Sequence, residues 1–163
     1  PDLAADARAR MTEAASAFAA GSEFVLMHFK QPDEAGHDKA PALKRDVIAG
    51  IDAGLQGLAQ RAGLPSDTIV VVAGDHGTPA GTTLIHSGDP VPIAIMADAV
   101  QRDDVAVFDE RACAQGRLGH LRGEAFMPIL LNARGTVRYM GGRLEPHAGL
   151  HWSREYKPFR PGN

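Results

Sequence analysis

The run Thr68-Ile69-Val70-Val71-Val72-Ala73 constrains this chain more than any other stretch. It is β-branched, apolar and unbroken by polar alternation. That pattern suits a strand buried on both faces of a parallel sheet, which in turn requires helices to cover the sheet. A helix of the right kind precedes it. From Ala42 to Ala62, the residues Val47, Ile48, Ile51, Leu55 and Leu58 form one apolar stripe. Gly63 ends that helix, and Pro65-Ser66-Asp67 makes the turn into the strand. An earlier helix is expected from Leu3 to Ala20, rich in Ala, Arg and Glu and stopped by Gly21. Glu23 to Phe29 is a further strand-length apolar run, and Val91 to Ala97 a third, with Pro92 confined to its beginning or to an edge. Asp109 to Gly116 reads as a short helix capped by Asp109, and Gly123 to Arg134 as another, limited by Pro128. Val137 to Met140 suits a terminal strand or hairpin, and the chain from Leu144 onward is polar and loop-like. Strands alternating with helices give an α/β fold, with a mostly parallel sheet flanked by helices.

Composition narrows the function classes. With 163 residues the chain suits one domain with a buried core. A net charge of −3 offers no broad basic field for nucleic acid, and 6% aromatic content offers little for base stacking. No apolar run approaches the length that crosses a bilayer. Pro1-Asp2-Leu3 carries neither a basic nor an apolar targeting pattern and lacks Met, so the N-terminus is expected to be cut or processed. The single cysteine, Cys113, excludes an intrachain disulfide and fits a reducing cytoplasm. It lies in a helix-like stretch with no neighbour to activate it, so a structural role is expected.

Two short signatures and one histidine carry the chemistry. Asp33 and His37 stand in Pro32-Asp33-Glu34-Ala35-Gly36-His37, after the 23–29 strand. Asp75 and His76 stand in Gly74-Asp75-His76-Gly77-Thr78-Pro79, after the 68–73 strand. His86 follows in the loop that leaves the second strand. Ligands of open α/β sheets bind beyond the carboxyl ends of strands, so the two clusters are expected to meet at one rim. Carboxylate oxygen with imidazole nitrogen suits Zn²⁺, Mn²⁺, Co²⁺ or Fe²⁺, and the lack of a thiolate excludes a zinc finger. Two such ions can activate an oxygen nucleophile and stabilise a leaving oxygen at phosphorus. Gly36, Gly74, Gly77, Gly81 and Gly88 would let backbone approach an anion. A lone Asp-His pair is weak evidence; two clusters after two strands, followed by His86, are much stronger.

These motifs, with His86-Ser87-Gly88-Asp89-Pro90-Val91-Pro92, resemble the metal-binding motifs of cofactor-independent phosphoglycerate mutases, and most closely the archaeal-type branch within the alkaline phosphatase superfamily. Phe108-Asp109-Glu110-Arg111, Gly116-Arg117-Leu118-Gly119, Arg122-Gly123 and Met127-Pro128-Ile129-Leu130-Leu131 are similar to the C-terminal segment of that branch. The resemblance runs from the first helix to about Arg134. It implies an alkaline-phosphatase-like core whose N-terminal part is missing, making residues 1–163 a single partial α/β metal-binding domain with an irregular tail over 144–163. It implies two divalent ions, Mn²⁺ or Zn²⁺, with Co²⁺ or Mg²⁺ as alternatives. Asp33, His37 and His86 would hold one ion; Asp75 and His76 would hold the other, with an Asp and a nucleophilic Ser from upstream. The implied reaction interconverts 2- and 3-phosphoglycerate through a phosphoserine, an isomerase step of glycolysis on a small phosphorylated substrate in the cytoplasm. Ser16, Ser22, Ser66 and Ser87 are poor substitutes for the upstream nucleophile, so this chain alone is expected to be inactive. The alternatives are a phosphatase or phosphodiesterase of the same superfamily, and a non-catalytic metal-binding fragment. A sheet lacking its first strands is expected to self-associate or to pair with the missing half.

Of the remaining polar residues, Lys30 is expected on the surface and His28 packed beside the ligands. Arg117, Arg122 and Arg143 are expected in surface ion pairs. His147 and His151, at helical spacing across Gly149, are expected to hold no metal, and the 152–159 segment has no role that follows from its residues.

Overall fold

The computed structural model describes residues 2–81, 83–98 and 100–133. The expected strand over 137–140, Arg143, His147, His151 and the 144–163 tail lie outside the described residues. The chain divides into two compact units, Pro1–His120 and Leu121–Asn163. In the first, helix α1 spans Leu3–Ala19, and Asp2 caps it by accepting a hydrogen bond from the Ala5 N–H at 3.0 Å. Helix α2 spans Gln31–His37 and α3 spans Pro41–Gly54. A single 3₁₀ turn, Leu58–Gln60, follows. Strands β1 (Val70–Ala73) and β2 (Ile93–Met96) come next, then the short helix α4, Glu110–Cys113, with Asp109 as its cap as expected. The second unit holds α5, Gly123–Ala133, which accommodates Pro128 within it.

Helix α3 ends eight residues before the expected Ala62. Its Gly50 and Gly54 give up helix propensity, and Gly57 turns through a φ of +91°. Those glycines serve packing instead. α1 lies against α3 so closely that a Cβ on Gly54 would stand 2.5 Å from both the Ala4 carbonyl oxygen and the Ala7 Cβ. Among the described residues, the buried apolar ones are small: Ala7, Ala14, Ala35 and Val47.

The sheet corrects two expectations. β1 and β2 pair antiparallel, with Val70 opposite Met96 and Ala73 opposite Ile93. A parallel return needs a crossover, usually a helix, and residues 74–92 contain none among those described. Nor is β1 covered on both faces, for Val72 and Ala73 are exposed. Residues 23–29 join no strand among the described residues. Their exposure nevertheless alternates as in a strand, with Val25, Met27 and Phe29 turned in and Phe24, Leu26 and His28 turned out. Arg10 fixes this segment to α1: its Nη1 donates to the His28 carbonyl at 3.3 Å, and its guanidinium lies 5.2 Å from the Phe29 ring centroid. His28 is therefore an exposed residue rather than a packed one.

Candidate metal centre

Asp33 and His37 lie on α2, a helix that directly follows the 23–29 run. The helix forms because Pro32 fits its first turn and Asp33 and Glu34 favour its N-terminal end. Helical i, i+4 spacing then puts both side chains on one face, with His37 Nε2 at 3.3 Å from Asp33 Oδ1. His86 reaches the same face from the 74–92 excursion. The Ser87 N–H donates to the Gly77 carbonyl at 2.8 Å, folding that loop on itself. Lys39 Nζ holds the loop to the end of α2 by donating to the carbonyls of Pro79, at 3.0 Å, and Leu84. As a result His86 Nε2 lies 3.3 Å from His37 Nε2 and 3.8 Å from Asp33 Oδ1.

These three donors, all within 4.8 Å of one another, fit a divalent ion. Ligand bonds of about 2.0–2.1 Å in tetrahedral geometry separate ligand atoms by about 3.3–3.4 Å, close to the distances found. The site is a rim rather than a core, with the side chains of Asp33, His37 and His86 exposed by 28%, 40% and 48%.

Asp75 and His76 stand beside this cluster and outside the three-donor group. The His76 ring lies 4.2 Å from the His86 ring, centroid to centroid. Its Nε2 is 3.5 Å from Asp75 Oδ2, a separation that also suits two ligands of one cation. Asp75 itself is largely exposed. The structure thus joins Asp33, His37 and His86 tightly, brings His76 against them, and places Asp75 beside His76.

Thr78, a residue the sequence reading passed over, links the two halves. It is only 4% exposed. Its hydroxyl donates to Asp33 Oδ1 at 2.7 Å and lies 3.2 Å from His76 Nδ1. That hydroxyl holds the Asp33 carboxyl below its ordinary pKa, against the opposing effect of burial and with help from His37, His76 and His86. A carboxylate kept ionised is ready to bind a cation. Thr78 is itself positioned by Lys44 of α3, whose Nζ donates to the Thr78 carbonyl at 2.6 Å. Gly36 and Gly77, expected to admit an anion, make room for protein instead. A Cβ on Gly36 would meet the Thr78 carbonyl oxygen at 2.5 Å, and one on Gly77 would meet Ser87 Oγ at 2.5 Å. No sequence signal marks Lys39, Lys44 or Thr78, because their partners lie 34 to 45 residues away.

Comparison with known proteins finds similar sequences and a similar solved structure. The 2,3-bisphosphoglycerate-independent phosphoglycerate mutase of Methanosphaerula palustris is 46% identical over 110 residues, covering 68% of this chain and 26% of that protein. Its namesake in Thermococcus gammatolerans is 38% identical over 110 residues, with the same coverage of each chain. The solved structure of the PH0037 protein from Pyrococcus horikoshii superposes with a TM-score of 0.73 at 32% identity, covering 83% of this chain and 40% of that one. The chain therefore spans about a quarter of the length of the curated relatives it matches. The profile of the Metalloenzyme superfamily, whose fold is alkaline-phosphatase-like, matches residues 2–133. That match runs through Asp33, His37, Asp75, His76 and His86 alike and takes in most of the sequence, and on that ground the chain belongs to the Metalloenzyme superfamily.

Proposed function

We propose that this chain carries the metal-binding part of a phosphoryl-transfer enzyme of the phosphoglycerate mutase type. The observation that carries the reading is the convergence of Asp33 Oδ1, His37 Nε2 and His86 Nε2 within 4.8 Å. In this reading those residues hold one divalent ion, Mn²⁺ or Zn²⁺, and Asp75 with His76 contribute to a second. Bound ions would supply charge stabilisation for a small phosphorylated substrate. The chain's own residues hold the donors at one rim, with Asp33 ionised by its Thr78 hydrogen bond and the His86 loop fixed by Lys39. The nucleophilic serine, and the groups that grip the substrate, come from outside these 163 residues. The reaction is the glycolytic exchange of 2- and 3-phosphoglycerate in the cytoplasm, and the sheet pairs with the remainder of the mutase. The similarity to named phosphoglycerate mutases supports this choice of substrate class.

Two measurements test it. Native mass spectrometry of the chain, reconstituted with Mn²⁺ or Zn²⁺ and desalted, is expected to show one retained ion that His37→Ala loses and Asp75→Ala keeps. No retained ion in the unaltered chain would overturn the site. Phosphorus NMR of 3-phosphoglycerate with the full-length protein is expected to show 2-phosphoglycerate. Release of inorganic phosphate in its place would make the protein a hydrolase.

A further inference from the structure

We propose that Thr78 is a positioning residue that fixes the tautomer of His76, placing the proton on Nδ1 and leaving Nε2 bare to bind a cation. The role of that bare nitrogen rests on the metal-site reading above; the tautomer itself does not.

The argument is a count of protons. A threonine hydroxyl has one hydrogen to donate and two lone pairs to offer. Its two polar neighbours here are Asp33 Oδ1 at 2.7 Å and His76 Nδ1 at 3.2 Å. An ionised carboxylate only accepts, and a hydrogen bond to a charged acceptor is the shorter and stronger kind, so the hydroxyl hydrogen goes to Asp33. Toward His76 the oxygen then presents lone pairs alone. A bare Nδ1 at 3.2 Å would set lone pair against lone pair, whereas Nδ1–H makes a hydrogen bond. Neutral imidazole carries one proton, so Nε2 is left bare. That nitrogen lies 3.5 Å from Asp75 Oδ2, too long for the carboxylate to claim the proton through a good hydrogen bond, and a cation between the two would be held by both.

The hydroxyl cannot easily turn to another task. Thr78 is almost wholly buried, its carbonyl is held by Lys44 at 2.6 Å, and its Cγ2 lies in the space Gly36 leaves on α2. The side chain of one residue therefore sets the orientation of a carboxylate from α2 and the proton position of a histidine from the loop after β1. Such outer partners of metal ligands typically change metal affinity about 10–100-fold when removed.

The test uses the metal-free chain labelled with ¹⁵N, at about pH 8, where imidazole is neutral. Long-range ¹H–¹⁵N correlation reads the tautomer of each histidine. His76 is expected as Nδ1–H in the unaltered chain and in Thr78→Ser, which keeps the hydroxyl. In Thr78→Val, which keeps the shape, the proton is expected to move to Nε2 in part or in full. Zn²⁺ affinity should fall about 10–100-fold in Thr78→Val and stay near the original in Thr78→Ser. His76 found as Nε2–H in the unaltered chain overturns the proposal, whether or not the valine variant folds. So does a folded Thr78→Val chain with His76 still Nδ1–H. An unaltered chain with His76 as Nδ1–H that binds no Zn²⁺ supports the tautomer assignment and overturns the metal-site reading instead.

Discussion

Asp103 shows how a single carboxylate can organise a stretch that has almost no regular structure. Its Oδ1 accepts from the Val105 N–H at 3.1 Å and its Oδ2 from the Arg117 N–H at 2.9 Å, closing the 103–117 loop around α4. The Arg117 amide, followed by that of Val105, lowers its pKa below the ordinary carboxylate value. A carboxyl whose pKa is lower folded than unfolded stabilises the protein above the unfolded value, near about 3.9, and loses that contribution as pH falls through the folded value. Asp103→Asn is therefore expected to melt below the parent at neutral pH, with the gap narrowing in acid below the unfolded value. Thermal scans at neutral and acid pH check it; a gap that does not narrow in acid would mean the loop is not held by this charge. Among the candidate metal-binding residues, the types were legible because carboxylate and imidazole in short order are a chemical signature. Thr78 was not, because a hydroxyl near Asp-His has many uses and only the approach of α2, 45 residues away in sequence, selects one.

At the scale of elements, α2 carries two of the three clustered donors, and only its place after the 23–29 run was expected. Pro32 at the first turn and the i, i+4 spacing of Asp33 and His37 were both visible in the sequence. The helix is only seven residues long, too short to show an apolar period, so pattern alone could not separate it from a loop. The strand run was read correctly as a strand and wrongly as parallel, since an unbroken apolar stretch reports low polarity and not the direction of its neighbour. Gly36 is where the close packing of α2 on the 76–78 segment can be tested. Replacing it with Ala would gain about 0.5–1 kcal/mol of helix propensity. Against that stands a contact of 2.5 Å with a backbone oxygen, which cannot rotate away. Overpacking of this kind costs about 1–3 kcal/mol, so the clash wins. Gly36→Ala is expected to lower stability in denaturant titrations and, because Thr78 must shift, to weaken Zn²⁺ binding as well. Unchanged metal affinity in a folded Gly36→Ala chain would separate α2 packing from the site.

For the whole molecule, the balance of burial favours association. The buried apolar residues among those described are three alanines and one valine, whereas Phe24, Leu26 and Ile85 are exposed by 63%, 79% and 63%. Phe24 and Leu26 lie on the outward side of a segment with strand-like alternation that joins no strand among the described residues. An extended segment with exposed apolar side chains is a template for pairing with another chain. Each large apolar side chain taken from water contributes about 1.5–3 kcal/mol, and a few of them could offset the cost of association only when they act together. Weak, concentration-dependent self-association is therefore the expected behaviour of this chain, rather than a tight dimer. Sedimentation velocity over a range of concentrations should show the average mass rising, and Leu26→Lys should suppress the rise without altering metal binding, since residue 26 has no part in the donor cluster. A constant monomer mass at high concentration would show that these side chains are tolerated in water singly, as scattered surface apolar residues are. It would also count against a pairing surface on this side of the molecule.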